Sequence, residues 1–306
     1  PKGATVVIES TVSPGTIDKF VRPAIKATGF KIGEDINLVH APERIIPGNM
    51  VYELLYNNRT IGADKREIGE AVKKCYASFC RGEIVVTDIR TAEMTKVVEN
   101  TFRAVNIAFA NELARICRHD NMDVYEIVKI CNMHPRVNIL QPGPGVGGHC
   151  ISVDPWFLVG DYPQLAKVID ESMKTNDSQP TFVLERIYEI MDENGITDNR
   201  KAGLYGITYK ENVDDIRESP TLQMHDIQTR HLARPLKSFD PFFTNMEIVK
   251  NQILDFDQFL NEVDMVVIMV KHSHIIENQE KLKGKIVLDC CNVISAEKSG
   301  AKIYHI

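Results

Sequence analysis

The sequence predicts an α/β protein in which two parallel-sheet domains are joined by a central helical domain built on one long helix. Three observations carry this expectation. Strand and helix signals alternate over the first 88 residues, a stretch free of Gly and Pro runs helically from Thr91 to about His119, and the alternation returns after Asn194-Gly195. Strands that alternate with helices argue for parallel sheets covered on both faces. The expected boundaries are therefore 1–88, 89–195 and 196–306.

In the first segment, residues 5–11 read as a buried strand, with Ser13 as helix N-cap and Pro14 as first helical residue of a helix from Gly15 to Ala27. A short strand at 37–40 ends in Ala41-Pro42-Glu43-Arg44, and a helix at 65–79 leads to a strand at 83–87. In the long helix, Lys96 and Asn100 stand four apart on one face, with Asn111 further along that side. A solvated polar stripe would show the same spacing. Helices are expected at 123–131, 155–171 and 178–193, then strands at 202–207, 236–239, 265–270 and 286–289, with Ser219-Pro220 opening a helix to about His231.

Composition narrows the class of protein. The 306 residues are 43% hydrophobic and 25% charged with a formal charge of -6, which provides no general basic surface for nucleic acid or an anionic membrane. Seven cysteines without framework spacing predict reduced thiols and a cytoplasmic location. No apolar run approaches the roughly 18 residues of a membrane span. The chain opens on Pro1 and enters a strand almost at once, so an N-terminally incomplete chain is expected.

The chemistry concentrates in Pro142-Gly143-Pro144-Gly145-Val146-Gly147-Gly148-His149-Cys150, followed by Asp154 and the single tryptophan, Trp156. Four glycines in six positions let the backbone curl tightly or a ligand approach closely, and Cys150 at such a turn is a candidate nucleophile. Free cysteines are also common as small buried hydrophobes, and Gly/Pro runs as plain turns. That alternative must account as well for the glycines, Asp154 and Trp156. The loop 208–219 carries Lys210 and Arg217 near a helix N-terminus, which suits a phosphate or, equally, a solvated charged loop. There is no G-x-G-x-x-G after a strand, no Walker A loop and no H-E-x-x-H. His272 and His274 have no partners placed for a metal and read as structural, and His149, adjacent to Cys150, is not positioned as its base.

Five stretches taken together resemble the nucleotide-sugar 6-dehydrogenases, the UDP-glucose/GDP-mannose dehydrogenase family. They are Glu9-Ser10-Thr11-Val12-Ser13-Pro14-Gly15-Thr16, Ala41-Pro42-Glu43-Arg44, Ala92-Glu93-Met94-Thr95-Lys96 with Asn100, the Gly147-Gly148-His149-Cys150 loop with Asp154-Pro155-Trp156-Phe157-Leu158, and Tyr209-Lys210 through Arg217-Glu218-Ser219. His149 and Trp156 look like the branch acting on UDP-N-acetyl-D-mannosamine; UDP-N-acetylglucosamine and UDP-glucose are the alternatives. The resemblance implies two Rossmann-like domains, the first incomplete, and oxidation of the sugar C6 alcohol to a carboxylate with two NAD+. Cys150 would capture the intermediate aldehyde as a thiohemiacetal that becomes a thioester. It further implies that Lys96 and Asn100 stabilise the oxyanion, Asp154 holds Lys96 or a water, Glu43 is general base and Thr11 orients water. Arg44, Gly147, Gly148 and His149 would join the sugar site, Lys210 would face the diphosphate, and Thr11 and Arg217 the cofactor side. Arg136 would reach the neighbouring subunit's sugar site in a homodimer formed through the long helix.

Two departures stand out. Pro47 occupies the position of a second family glutamate, and the glycine fingerprint for NAD+ is missing. Two other classes therefore compete with the enzyme: a truncated nucleotide-sugar-binding module without turnover, and a cysteine hydrolase, which would need a histidine base that the sequence does not place. The 306-residue chain is expected to bind UDP-sugar yet hold NAD+ poorly. Calorimetric titration with NAD+ checks this: weak or absent heat is expected, and tight binding contradicts it.

Overall fold

The structure is a computed structural model that describes residues 2–45 and 49–306; Pro47 lies outside the described residues. The chain forms two compact units, residues 1–102 with 154–166 and residues 103–153 with 167–306.

In the first unit a four-stranded sheet runs in the order β1 (Ala4–Ile8), β2 (Ile36–His40), β3 (Arg59–Ala63), β4 (Ile84–Thr87). β1 pairs parallel with β2 and β3 with β4, whereas β2 and β3 are antiparallel through Val39↔Ala63 and His40↔Gly62. β3 was not expected, and neither was the helix α2 (Met50–Tyr56), which precedes it after α1 (Arg22–Ala27). Five residues containing a glycine give too little period-2 signal to mark a strand; its place comes from tertiary packing. Val39, Ile61, Val72 and Ile84 form the core between this sheet and α3 (Arg66–Ala77).

The long helix α4 spans Ile89–His119. Its start is seated on β3 at Gly62, where a Cβ would come within 2.7 Å of both Ala92 and the Ile89 backbone. From its second turn Glu93, 1% exposed, accepts the backbone N–H groups of Gly15 (2.6 Å) and Ile17 (2.9 Å). That capture corrects the expected helix start. Gly15 has a left-handed φ of +86°, so the chain turns there into a π-helical segment, Ile17–Val21, before α1. Ser13 does not cap; its hydroxyl donates to Asp161 at 2.5 Å.

The helix expected at 155–171 is two helices, α6 (Asp154–Asp161) and α7 (Lys167–Asp177). They follow α5 (Val124–Cys131), whose N-cap Asp123 accepts from Tyr125 N–H. The break falls at Tyr162-Pro163: proline has no N–H and its ring disfavours a helical residue before it. The helix α8 (Gln179–Glu193) then packs Val183, Ile187 and Ile190 into the second unit's core.

That core is organised on an all-parallel sheet ordered β6 (Lys237–Phe239), β5 (Ala202–Tyr205), β7 (Met265–Ile268), β8 (Ile286–Asp289), β9 (Lys302–His305). Successive residues serve opposite faces. Leu204, Val267 and Leu288 meet α8 and α9 (Pro220–Arg230), while Tyr205, Val266 and Val287 meet Phe259 and Leu260 of α10 (Phe256–Glu262). Such double burial explains why these strands read as continuous apolar runs. After β5 the chain crosses to β6 on one side and returns to β7 on the other, so the strand order reverses between β5 and β7. In open parallel sheets ligands bind at the carboxyl ends beside such a reversal.

Two histidines set an acid limit on this fold. Burial pushes both the fully buried His40 and the half-buried His225 of α9 down to about 4 from the usual 6.5. The unfolded chain takes up protons near pH 6.5 and the folded one only near 4, so stability present above 6.5 is lost as pH falls through that window. The loss is on the order of 3 kcal/mol per histidine. Urea midpoints measured from pH 7 to 4.5 should fall accordingly, and His40→Leu should flatten the slope. Equal slopes in wild type and variant would contradict this account.

Candidate functional site

The glycine loop is held at both ends within the second unit. At its start the Gly143 peptide is gripped by two buried amides: Asn111 Oδ1 of α4 accepts its N–H (3.0 Å) and Gln179 Nε2 of α8 donates to its carbonyl (3.0 Å). Asn111 is itself fixed by donating to Asn176 Oδ1, and Asn176 donates to the Ala104 carbonyl. Buried amides left unpaired would each cost about 1–3 kcal/mol, so this network specifies one loop position. At the far end Gly148 N–H donates to the Arg217 carbonyl (2.9 Å). The loop backbone there lies against Tyr209: a Cβ on Gly147 would meet Tyr209 Cβ at 2.5 Å and the Glu218 carbonyl oxygen at 2.7 Å. Gly148 adopts φ +86° beside the same ring. Ser152 Oγ closes the turn by donating to the Gly148 carbonyl at 2.5 Å, and Cys150 is left exposed.

The loop that receives it, 206–219, is itself built on a buried carboxylate. Asp240, 1% exposed after β6, accepts from the N–H groups of Ile207 (2.6 Å) and Thr208 (3.0 Å) and from His272 Nε2 (3.2 Å). His272 Nδ1 accepts from Asn212 N–H, which makes the ring a neutral Nε2–H tautomer. Burial works to raise the Asp240 carboxyl, but the His272 and backbone hydrogen bonds prevail and hold it below its ordinary range. His272 is a structural support, as the sequence indicated. Ser219 caps α9 as expected, and its hydroxyl also donates to the Ile207 carbonyl.

Between these loops, at the carboxyl ends of β5, β7 and β8, lies a pocket of about 240 Å³. It is lined on one side by Gly143 and Gly145 and on the other by Tyr209, Lys210 and Lys271, with Cys290 and Cys291 behind. Burial pushes both of these thiols up, so they stay protonated at neutral pH and unreactive, in contrast to the exposed Cys150. Arg217 is exposed and chelated by Asp215 at 2.5–3.1 Å. His149 and Arg136 are exposed.

The first unit holds the second group of expected residues. Asn100 Nδ2 donates to Asp154 Oδ2 at 2.6 Å, both side chains being buried. Lys96, one turn earlier on α4 and 8% exposed, makes no ion pair among the described residues. Glu43 is bound to Arg59 (2.6 Å), a buried guanidinium stacked over Tyr76 and Phe79. Arg44 is held in a fork by Glu99, at 2.7 Å from each oxygen, and also reaches the Asn58 carbonyl. Thr11 is half-buried just after β1. Sequence reasoning missed Tyr209 as the platform for the glycines, Gln179 as a clamp, and Arg59 as the partner of Glu43. For Tyr209 a signal existed, since paired glycines ask what they must pass closely.

Comparison with known proteins decides the family. The family models for UDP-glucose/GDP-mannose dehydrogenases match in all three parts: the NAD binding domain over residues 1–80, the central domain over 90–178 and the UDP binding domain over 203–296. The chain belongs to the UDP-glucose/GDP-mannose dehydrogenase family. This makes it an NAD-dependent oxidoreductase of the nucleotide-sugar class. It is 39% identical to the UDP-N-acetyl-D-mannosamine dehydrogenase of Methanocaldococcus jannaschii, over 99% of this chain and 70% of that protein. It is 36% identical to the NDP-N-acetyl-D-galactosaminuronic acid dehydrogenase of Ralstonia nicotianae, over 98% and 73%. A solved UDP-N-acetyl-mannosamine dehydrogenase from S. aureus superposes with a TM-score of 0.87 at 40% identity, covering 99% of this chain and 72% of that one. The chain thus spans about 70% of the length of such relatives.

NAD is the cofactor this family uses. A pyrophosphate needs free backbone N–H groups at a glycine-rich helix start. In the first unit the N–H groups of Gly15 and Ile17 are taken by Glu93, and no other glycine-rich strand-to-helix turn occurs among its described residues. The residues present do not form a dinucleotide phosphate cradle.

The clamp makes a direct prediction. Gly147→Ala must push backbone apart and is expected to cost about 1–3 kcal/mol, whereas Gly143→Ala, with nothing within 4 Å of the added carbon, should stay within about 0.5 kcal/mol. Chemical denaturation measures both, and equal effects would refute the docking of Gly147 on Tyr209.

Proposed function

We propose that this protein oxidises UDP-N-acetyl-D-mannosamine at C6 to the uronate, with Cys150 as the nucleophile. The observation that carries the reading is an exposed thiol on a glycine loop clamped to the loop of Tyr209 and Lys210, beside a pocket at the strand reversal. The pocket would take the nucleotide diphosphate, with Lys210 as its counter-charge. Two solved or curated relatives named for UDP-N-acetylmannosamine support the choice of sugar, and His149 and Trp156 agree with it.

The chemistry assigned to this chain is that of sulfur and water. The Cys150 thiolate adds to the C6 aldehyde, a C–S bond forms, and the carbonyl electron pair moves to oxygen. Lys96 and Asn100 stabilise that oxyanion; one such donor is worth about 3 kcal/mol in other enzymes. Once the adduct is a thioester, water attacks its carbonyl, the C–S bond breaks and the thiolate leaves. Glu43 takes the proton of that water, Thr11 orients it, and Asp154 holds Asn100 in place for the oxyanion. In the free structure the Glu43 and Arg44 side chains are engaged by Arg59 and Glu99, so sugar contacts by this pair require those ion pairs to exchange. NAD, when bound, would supply the hydride acceptor for both oxidations.

The protein acts as a homodimer through α4 in this reading. Val98, Phe102, Phe109 and Ile116 are exposed by 46–65% and fall on one face of the helix at near-heptad spacing. Arg136 would then serve the neighbouring sugar site. The segments 1–88, 89–195 and 196–306 are proposed as cofactor, dimerisation and nucleotide-sugar parts.

NADH formation with UDP-N-acetylmannosamine, UDP-N-acetylglucosamine and UDP-glucose tests the proposal. The first should be the best substrate, and Cys150→Ala should lower uronate formation by about a thousandfold or more. Best turnover of UDP-glucose, or unchanged product from the variant, would overturn it.

A further inference from the structure

The amino ends of the second sheet carry a feature that the dehydrogenase reading leaves unused. Asn199 and Arg200 precede β5, Arg234 and Pro235 precede β6, and Glu262 ends α10 before β7. With Lys237, Lys250 and Gln252 they line a second pocket of about 190 Å³. Because the sheet is parallel, this pocket opens at the edge opposite the carboxyl ends, where Lys210 lies.

Its charge is unbalanced. Four cations line it, Arg200, Arg234, Lys237 and Lys250, against a single acidic lining residue, Glu262. Arg200 is chelated by Asp198 and Lys237 is paired with Glu262 at 2.7 Å. Arg234 and Lys250 make no ion pair among the described residues, which leaves two uncompensated positive charges in one concavity of a chain whose formal charge is -6. Chance clustering of like charges is disfavoured by their repulsion, and an anion relieves it.

We infer that this pocket is a separate anion site that takes a phosphate or diphosphate group, held by Arg234 and Lys250. Its volume of about 190 Å³ has room for a phosphate or diphosphate group. The inference does not depend on the sugar specificity proposed above.

Calorimetric titration with inorganic pyrophosphate at low ionic strength tests it, using a Lys210→Gln background to lower the positive charge at the nucleotide pocket, where Lys271 remains. Binding should persist in Lys210→Gln and weaken at least tenfold when Arg234→Gln and Lys250→Gln are added. Both added positions are exposed surface residues, and unfolding curves confirm that the variants remain folded. UDP-sugar binding should be unchanged by Arg234→Gln/Lys250→Gln in an otherwise native chain. A parallel titration with ADP separates the sources: tighter binding than pyrophosphate assigns a nucleotide diphosphate, weaker binding a free one. Absence of pyrophosphate binding in Lys210→Gln, or equal affinity after the two added substitutions, would overturn the site.

Discussion

The clamp on the Gly143–Gly148 loop is the constraint on which the second unit's chemistry depends. A thiol on a loop of alternating Gly and Pro has many places to be, and ordering such a backbone costs about 1–2 kcal/mol per residue. Here the cost is met by hydrogen bonds at defined atoms: Asn111 and Gln179 on Gly143, the Arg217 carbonyl on Gly148, Ser152 on the turn itself. Each partner is in turn fixed by something buried. Asn111 rests on Asn176, and the Tyr209 loop hangs from the Asp240 carboxylate. The exposed Cys150 is therefore carried by a rigid support although its own side chain packs against little.

The same economy of buried carboxylates organises the first unit. Glu93 supplies two acceptors to the chain after β1, where a helix start would otherwise leave its N–H groups open. That choice has a functional side. An internally capped turn cannot also cradle a pyrophosphate, so the carboxyl edge of β1 is shaped for contacts other than the cofactor's phosphates. Nearby, Asn100 and Asp154 form a buried pair whose partners come from α4 and from the helix that follows the thiol loop. A buried amide–carboxylate bond of this kind is costly to leave half-made, which keeps the Asn100 donor in one orientation.

Much of this was legible in the residues. The long helix, the Ser219-Pro220 helix start and four of the five parallel strands of the second sheet follow from local rules, β9 being the one not expected, and the glycine loop marks itself by composition. What was not legible depends on neighbours distant in sequence. β3 is a strand because β2 and β4 flank it, and its antiparallel pairing with β2 has no local signature. Ser13 looked like an N-cap, but Glu93, 78 residues beyond Gly15, took the N–H groups instead. The break at Pro163 was readable from the proline and its effect on Tyr162. Arg44 and Glu43 were identifiable as charged residues at a strand end, whereas their engagement with Glu99 and Arg59 required the fold.

The central claim is that Cys150 stands at the sugar end of a site whose nucleotide end is the pocket of Tyr209 and Lys210. Alkylation with iodoacetamide followed by peptide mapping tests it most directly, because Cys75 and Cys131 are also exposed and serve as internal references. The account predicts that saturating UDP-N-acetylmannosamine slows labelling of Cys150 at least tenfold while Cys75 and Cys131 label at unchanged rates. Cys150 labelling that is indifferent to the nucleotide sugar would contradict it.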